Sequence, residues 1–256
     1  MYDTVNFRLL QSEALGVDFL AETPCFLDNV GEHHYNGETV ITGSLNGLNI
    51  SLNRYQMKIK DGSLCKWYLG DNFQTMGRGD TQRAIERLSD TLHVPISKAT
   101  VTRLDIAQNF IVKYPTVVYI NHLGALRYAT RLQEPDGIYY KQSGGRLCFY
   151  DKNREQKRHG EPIPELYEGR NVLRYEQRYT KRIASQFKVG CVTGAMLYDE
   201  DFYIGLLNRW RDKYTAIKKI NDTSLNFQAM RTRQQLYRMG VLTLIKQAGG
   251  QLQMIE

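Results

Sequence analysis

Val101-Thr102-Arg103-Leu104-Asp105-Ile106-Ala107-Gln108-Asn109-Phe110 decides the fold, because its side chains alternate in character. Arg103, Asp105, Ala107 and Asn109 fall on one side of an extended chain, and Leu104, Ile106 and Phe110 on the other. A period of two marks a strand with one buried face. Two later stretches read the same way. In Val172–Tyr179, Arg174, Glu176 and Arg178 share a face, with Leu173, Tyr175 and Tyr179 opposite. In Arg146–Lys152, Arg146, Cys148, Tyr150 and Lys152 align, while Leu147 and Phe149 pack behind.

Further strands are expected at Asp3–Leu10, Leu45–Asn53 and Arg54–Lys60, with an irregular stretch over 11–38. Glycines and polar residues at 70–79 mark a long turn. Asp80 suits the N-cap of a helix whose apolar stripe is Ala84, Ile85, Leu88 and Leu92. Thr100–Lys113 is extended, and Pro115 opens a second helix carrying Tyr119, Ile120, Leu123 and Leu126. Ile138–Lys141 and Arg146–Lys152 form a hairpin across 142–145, and a helix is expected near Asn153–His159. Phe202–Ile217 and Arg231–Gln247 read as helices. The order gives an α+β fold, with a largely antiparallel sheet built from two strand–strand–helix–strand halves and additional C-terminal helices. The halves are about 1–128 and 129–190, and 191–256 is a C-terminal helical region.

Length and composition, 256 residues with 42 % hydrophobic and 24 % charged, suit a globular chain of one large domain or two packed halves. No run of about 18 apolar residues is present, so no membrane span is expected. The N-terminus lacks a basic region followed by an apolar core, so no secretory signal is read. The four cysteines form no CxxC pair, which points to reduced thiols in a cytoplasm. A formal charge of +7 favours a polyanionic partner, and seventeen tyrosines offer faces for stacking on unpaired bases.

If the strands at 101–110 and 172–179 lie close together, Asp105 and Glu176 could hold one hard divalent cation through oxygen. The same Arg-x-acid pattern suits a sheet face with cross-strand arginine–acid pairs, and on pattern alone that second reading is favoured. Tyr150 has an ordinary phenol pKa of about 10 and needs cations nearby to become a nucleophile. Lys152 and Arg146 lie on its face.

Taken in order, VTRLDIAQNF (101–110), LCFYDKNRE (147–155) and VLRYEQRY (172–179) resemble the gene II/X family of filamentous-phage and plasmid replication endonucleases. GSLCKWYLGDNF at 62–73 adds a weaker match, a Lys-x-x-x-Gly turn that begins at Lys66. The resemblance covers roughly residues 45–190 and makes 1–190 the expected nicking domain. It implies a rolling-circle initiator that nicks and rejoins single-stranded or extruded origin DNA, with Tyr150 as covalent nucleophile and Lys152 as its neighbouring lysine. Arg174 and Arg178 would stabilise charge, and Arg103, Asn109, Arg146 and Lys66 would contact DNA. Mg²⁺ or Mn²⁺ is the implied cofactor. Host helicase and polymerase are the implied partners, in the cytoplasm of a bacterial host.

Two departures stand out. Many rolling-circle initiators bind metal through His-apolar-His, and here His33 and His34 are adjacent while His93, His122 and His159 stand alone. The metal is therefore placed on Asp105 and Glu176, with no evident third ligand; Asn109 or Asp151 could contribute. The chain is also short for the family, so a truncated piece and a compact member both stay open. Arg209, Arg211, Lys213, Lys218 and Lys219 give the C-terminal region positive charge, as an origin-binding surface or a solvated helix face. Two other functions remain: a non-catalytic DNA-binding regulator of the same fold, and a metal-dependent nuclease that uses water.

Overall fold

The alternating segments pair into one sheet. The computed structural model describes residues 1–220 and, beyond them, 232–234, 237 and 240–241. In chain order the strands are β1 (Tyr2–Leu10), β2 (Asp28–Tyr35), β3 (Glu38–Leu45), β4 (Leu48–Asn53), β5 (Gln56–Lys60), β6 (Thr100–Val112), β7 (Thr130–Glu134), β8 (Gly137–Gln142), β9 (Gly145–Asp151) and β10 (Asn171–Tyr179). They lie in the order β2-β3-β4-β5-β1-β6-β10-β9-β8-β7, with every neighbour antiparallel. Each half sends its last strand, β6 or β10, to the seam at the middle, where the two pair along nine residues from Asn171↔Val112 to Tyr179↔Leu104.

Six α-helices are described: α1 (Leu64–Leu69), α2 (Arg78–Leu92), α3 (Thr116–Asn121), α4 (Lys152–Arg158), α5 (Ile183–Phe187) and α6 (Glu200–Thr215). α2 begins one turn earlier than its acid suggests. Gly77 is the N-cap, and Asp80 sits at the third helical position with its carboxylate accepting the Gly77 amide at 3.0 Å. Its stripe of Ala84, Ile85, Leu88 and Leu92 is buried in a large core with β1, β4 and β5. Asp151 ends β9 and caps α4 by accepting the Arg154 amide at 2.9 Å, so it turns away from the strand's polar face.

The expectation of irregular chain over 11–38 fails at β2. That strand is exposed along nearly its whole length, so it buries no apolar face and shows no alternation in sequence. Its pairing with β3 is what makes it a strand. The expectation for Arg231–Gln247 lies mostly outside the described residues.

A second core covers the other side of β8–β10. Ile138, Tyr140, Leu147, Phe149 and Tyr175 pack there with Ile120, Leu123 and Leu126. Phe149, Tyr175 and Trp210 of α6 form a stack with centroid spacings of 4.4 Å each. The compact unit accordingly runs from Met1 to Lys218, so the boundary expected near 190 falls inside it, and Lys219–Glu256 forms a second unit. Among the described residues no helix is long and apolar enough to cross a membrane.

Because Phe149 is 1 % exposed and anchors that stack, Phe149→Ala should cost about 3–5 kcal/mol in denaturant unfolding. A loss below about 1 kcal/mol would mean that the aromatic layer does not hold the helices to the sheet.

Candidate active site

Register puts the three sequence motifs on one face. Across β9, β10 and β6, Tyr150 faces Arg174, which faces Asn109. Cys148 faces Glu176, which faces Ala107, and Arg146 faces Arg178, which faces Asp105. Directly opposed residues in an antiparallel pair point the same way, so the polar sides of all three strands converge. Gly137 of β8 lies opposite Tyr150, and a Cβ there would come within 2.9 Å of the Tyr150 Cβ and 2.7 Å of the Phe149 carbonyl oxygen. A side chain at 137 would therefore push β8 away from the tyrosine.

Tyr150 is 8 % exposed, yet its hydroxyl does not end in the apolar core. It donates to Glu176 Oε2 at 2.9 Å. The other oxygen of Glu176 accepts from Arg178 Nε at 2.6 Å, and Arg174 Nε lies 3.6 Å from Oε2. Arg174 also donates to Asn109 Oδ1 at 3.2 Å and to the Asn72 carbonyl at 3.0 Å, and it forms an ion pair with Asp3 of β1. Its Nε has no hydrogen-bond partner among the described residues. Lys152 is buried and bonded to Glu155 Oε2 at 2.6 Å.

The electrostatics follow from burial and these neighbours. Burial and the Glu176 charge push the Tyr150 phenol well above its ordinary value, so the hydroxyl keeps its proton at neutral pH. Burial also pushes Glu176 up, but Arg174 and Arg178 more than offset this and hold it below the usual carboxylate range. Burial lowers the Lys152 ammonium, and Arg174 lowers it further. Asp105 goes the other way: burial raises it to about 6 against the Arg103 hydrogen bonds, and Glu176 adds to the rise.

Asp105 and Glu176 are thus neighbours on one face, as expected, but guanidinium groups surround them. Arg103 Nε reaches both Asp105 oxygens at 3.1 Å, and Arg178 lies between the two acids, 3.9 Å from Asp105 Oδ2. The cross-strand arginine–acid arrangement is the one present. A dication between these acids would sit against Arg103 and Arg178, and no group of three or more His, Cys, Asp or Glu among the described residues is placed to hold one. The residues as arranged do not fit a metal, although their oxygen chemistry would suit Mg²⁺ or Mn²⁺.

The other expected residues divide. Arg103 is about a quarter exposed and Arg146 is exposed, so both reach solvent from this face. Asn109 is turned to its own loop, donating to the Asn72 and Phe73 carbonyls at 2.9 and 3.1 Å. Lys66, on α1, stands off the sheet face in an ion pair with Glu161. Sequence reasoning missed Asp3, Asn72 and Glu155. Asp3 carried a usable signal, being an acid in a strand whose other early residues, Tyr2, Val5 and Phe7, are core.

These residues define an α+β protein whose central sheet presents a tyrosine hydroxyl to a carboxylate amid arginines. Residues 1–202 match a family described as the N-terminal part of the phage gene II replication-associated protein. The chain therefore belongs to that family, the gene II-type replication initiators of filamentous phages. No curated protein matches it.

Asp105 binds its proton more tightly folded than unfolded. Its contribution to stability is therefore fully present below about pH 4 and lost as pH rises through about 6, a change of about 3 kcal/mol. Unfolding measured at pH 4 and pH 7 should show the stability of Asp105→Asn gaining on the parent by that order as pH rises. A parent-to-variant difference constant over this window would contradict the burial argument.

Proposed function

We propose that the protein nicks and rejoins single-stranded origin DNA through a covalent 5′-phosphotyrosine on Tyr150. The observation that carries this is the 2.9 Å hydrogen bond from the Tyr150 hydroxyl to Glu176, inside a cluster of arginines. A phenol held neutral by burial attacks phosphorus only if its proton leaves as the bond forms, and Glu176 is placed to take it. The Tyr150 oxygen bonds to phosphorus, the bond from phosphorus to the 3′ oxygen breaks, and that oxygen takes a proton from the Lys152 ammonium, whose lowered pKa makes it the better acid. The reverse sequence rejoins the strand. The phosphotyrosine bond conserves the energy of the phosphodiester, so joining needs no nucleotide triphosphate.

Arg174 supplies the charge for the transition state. Its unpartnered Nε can donate to a non-bridging phosphate oxygen without giving up its bonds to Asp3 and Asn109. Arg178 offers a second guanidinium beside the same carboxylate. The phosphate reaches Tyr150 only when Asn72 and Phe73 part from Arg174 and Asn109, because those contacts cover this end of the face. All of these steps run through side chains. The freed 3′ hydroxyl would prime a host polymerase acting behind a host helicase in the bacterial cytoplasm.

The test is incubation with labelled single-stranded origin DNA, in Mg²⁺ or Mn²⁺, followed by denaturation. The parent should leave DNA covalently attached to protein, and Tyr150→Phe should leave none. Glu176→Gln should lose about 100-fold or more in nicking rate while binding DNA like the parent. Cleavage without an adduct would mean a nuclease that uses water, and retardation without cleavage a pure DNA binder. Either result overturns the proposal.

A further inference from the structure

The polar face that holds Tyr150 continues past the active site into an open trough. Its volume is about 540 Å³, and it is lined by Arg103, Lys141, Arg146, Arg178 and Lys181 against the single acid Glu134, with Tyr139 and Leu132 on its floor. Lys141 faces Arg146 across β8 and β9, and Arg146 faces Arg178 across β9 and β10. Like charges placed directly opposite one another destabilise a sheet. Lys141, Arg146 and Lys181 are exposed and form no ion pair with any described residue. The first acid met along this row is Asp105, on the next strand. Such a row is stabilised when a polyanion lies along it.

The floor says which polyanion. The Arg146 guanidinium lies over the Tyr139 ring, 6.0 Å from its centroid, and Leu132, opposite Tyr139, is 47 % exposed. A flat ring and an apolar side chain set among cations make a stacking platform for unpaired bases, which a duplex keeps in its own stack. The row also stands at a fixed distance from the nucleophile. Arg146 and Tyr150 are four residues apart on one strand, about 13 Å.

We propose that this trough binds the single strand beside the cleavage point, with Lys141, Arg146 and Lys181 on its phosphates and Tyr139 under a base. The proposal rests on the nicking reading above and adds to it the path of the DNA. The strand enters from the open end at Arg146 and runs toward Tyr150, where the Asn72–Phe73 loop closes the face.

The test measures affinity of the full chain, carrying Tyr150→Phe so that nothing is trapped covalently, for fluorescent oligo(dT) of about 15 nucleotides over a range of salt. Lys141→Ala/Arg146→Ala/Lys181→Ala should bind at least about tenfold more weakly, and its log–log salt slope should fall by about 2, near 0.7 for each lost phosphate contact. Tyr139→Leu should weaken single-strand binding about fivefold or more with an unchanged slope, and should leave binding to a duplex of equal length unaltered. Lys60→Ala/Lys98→Ala/Lys188→Ala removes as many exposed charges elsewhere and should change the affinity less than about twofold. Equal losses in both triple variants would show that only net charge matters, and an unchanged trough variant would show that DNA lies elsewhere. Either would overturn the trough. A Tyr139→Leu loss shared by the duplex would overturn the single-strand assignment. These readings need no cleavage, so they stand apart from the adduct assay. A parent that forms the adduct while the trough variant binds normally sinks the trough alone, and a parent without the adduct sinks the nicking reading alone.

Discussion

Everything at the centre of this sheet depends on the Arg174 guanidinium, which is 2 % exposed and held between Asp3 of β1 and Glu176 of its own strand. A buried cation is tolerated only when acids and carbonyls satisfy it. Here the satisfying groups come from β1, β6, β10 and the 70–76 loop, so one side chain ties together four separate stretches of sequence. Ala107, the small residue facing Glu176, leaves room above β6 for the arginine to reach Asp3. Removing Arg174 would leave two buried carboxylates without their cation, while a hydrophobic layer of the same shape would stabilise the fold without positioning a hydroxyl.

That network explains how a tyrosine almost sealed from solvent can still be a candidate nucleophile. Its ring is embedded, but its oxygen belongs to the charged layer. Burial makes the phenolate expensive, so chemistry at this position needs a proton acceptor in contact with it and a cation facing the incoming phosphate. Glu176 and Arg174 meet those two needs from the same strand, spaced by two residues so that both point to one side. Farther along the face the acids run out, the arginines and lysines lose their partners, and the surface opens to solvent. Closed, compensated charge at one end and open, uncompensated charge at the other give the face a direction.

Much of this face was legible in the sequence alone. Alternation in β6, β9 and β10 assigned each side chain to a side, and register then had only to bring the sides together. The hairpin at 142–145, the α2 stripe and the extent of β10 were equally readable, because each carries a local periodic signal. What was not readable is what depends on pairing between distant segments. Asp3 lies 171 positions from Arg174, and nothing local announces that partnership. β2, exposed on its edge, lacks the buried face that periodicity detects. The acids at 105 and 176 were expected to hold a cation supplied from solution. The register sets Arg178 opposite Asp105 and two residues from Glu176, so a cation fixed in the chain lies there instead.

Tandem mass spectrometry of the protein after reaction with origin DNA, followed by nuclease and trypsin digestion, tests the central claim most directly. The account predicts one modified peptide, bearing a nucleotide through phosphate on the Tyr150 oxygen. A nucleotide found on any other side chain, or cut DNA with every tyrosine unmodified, would contradict it.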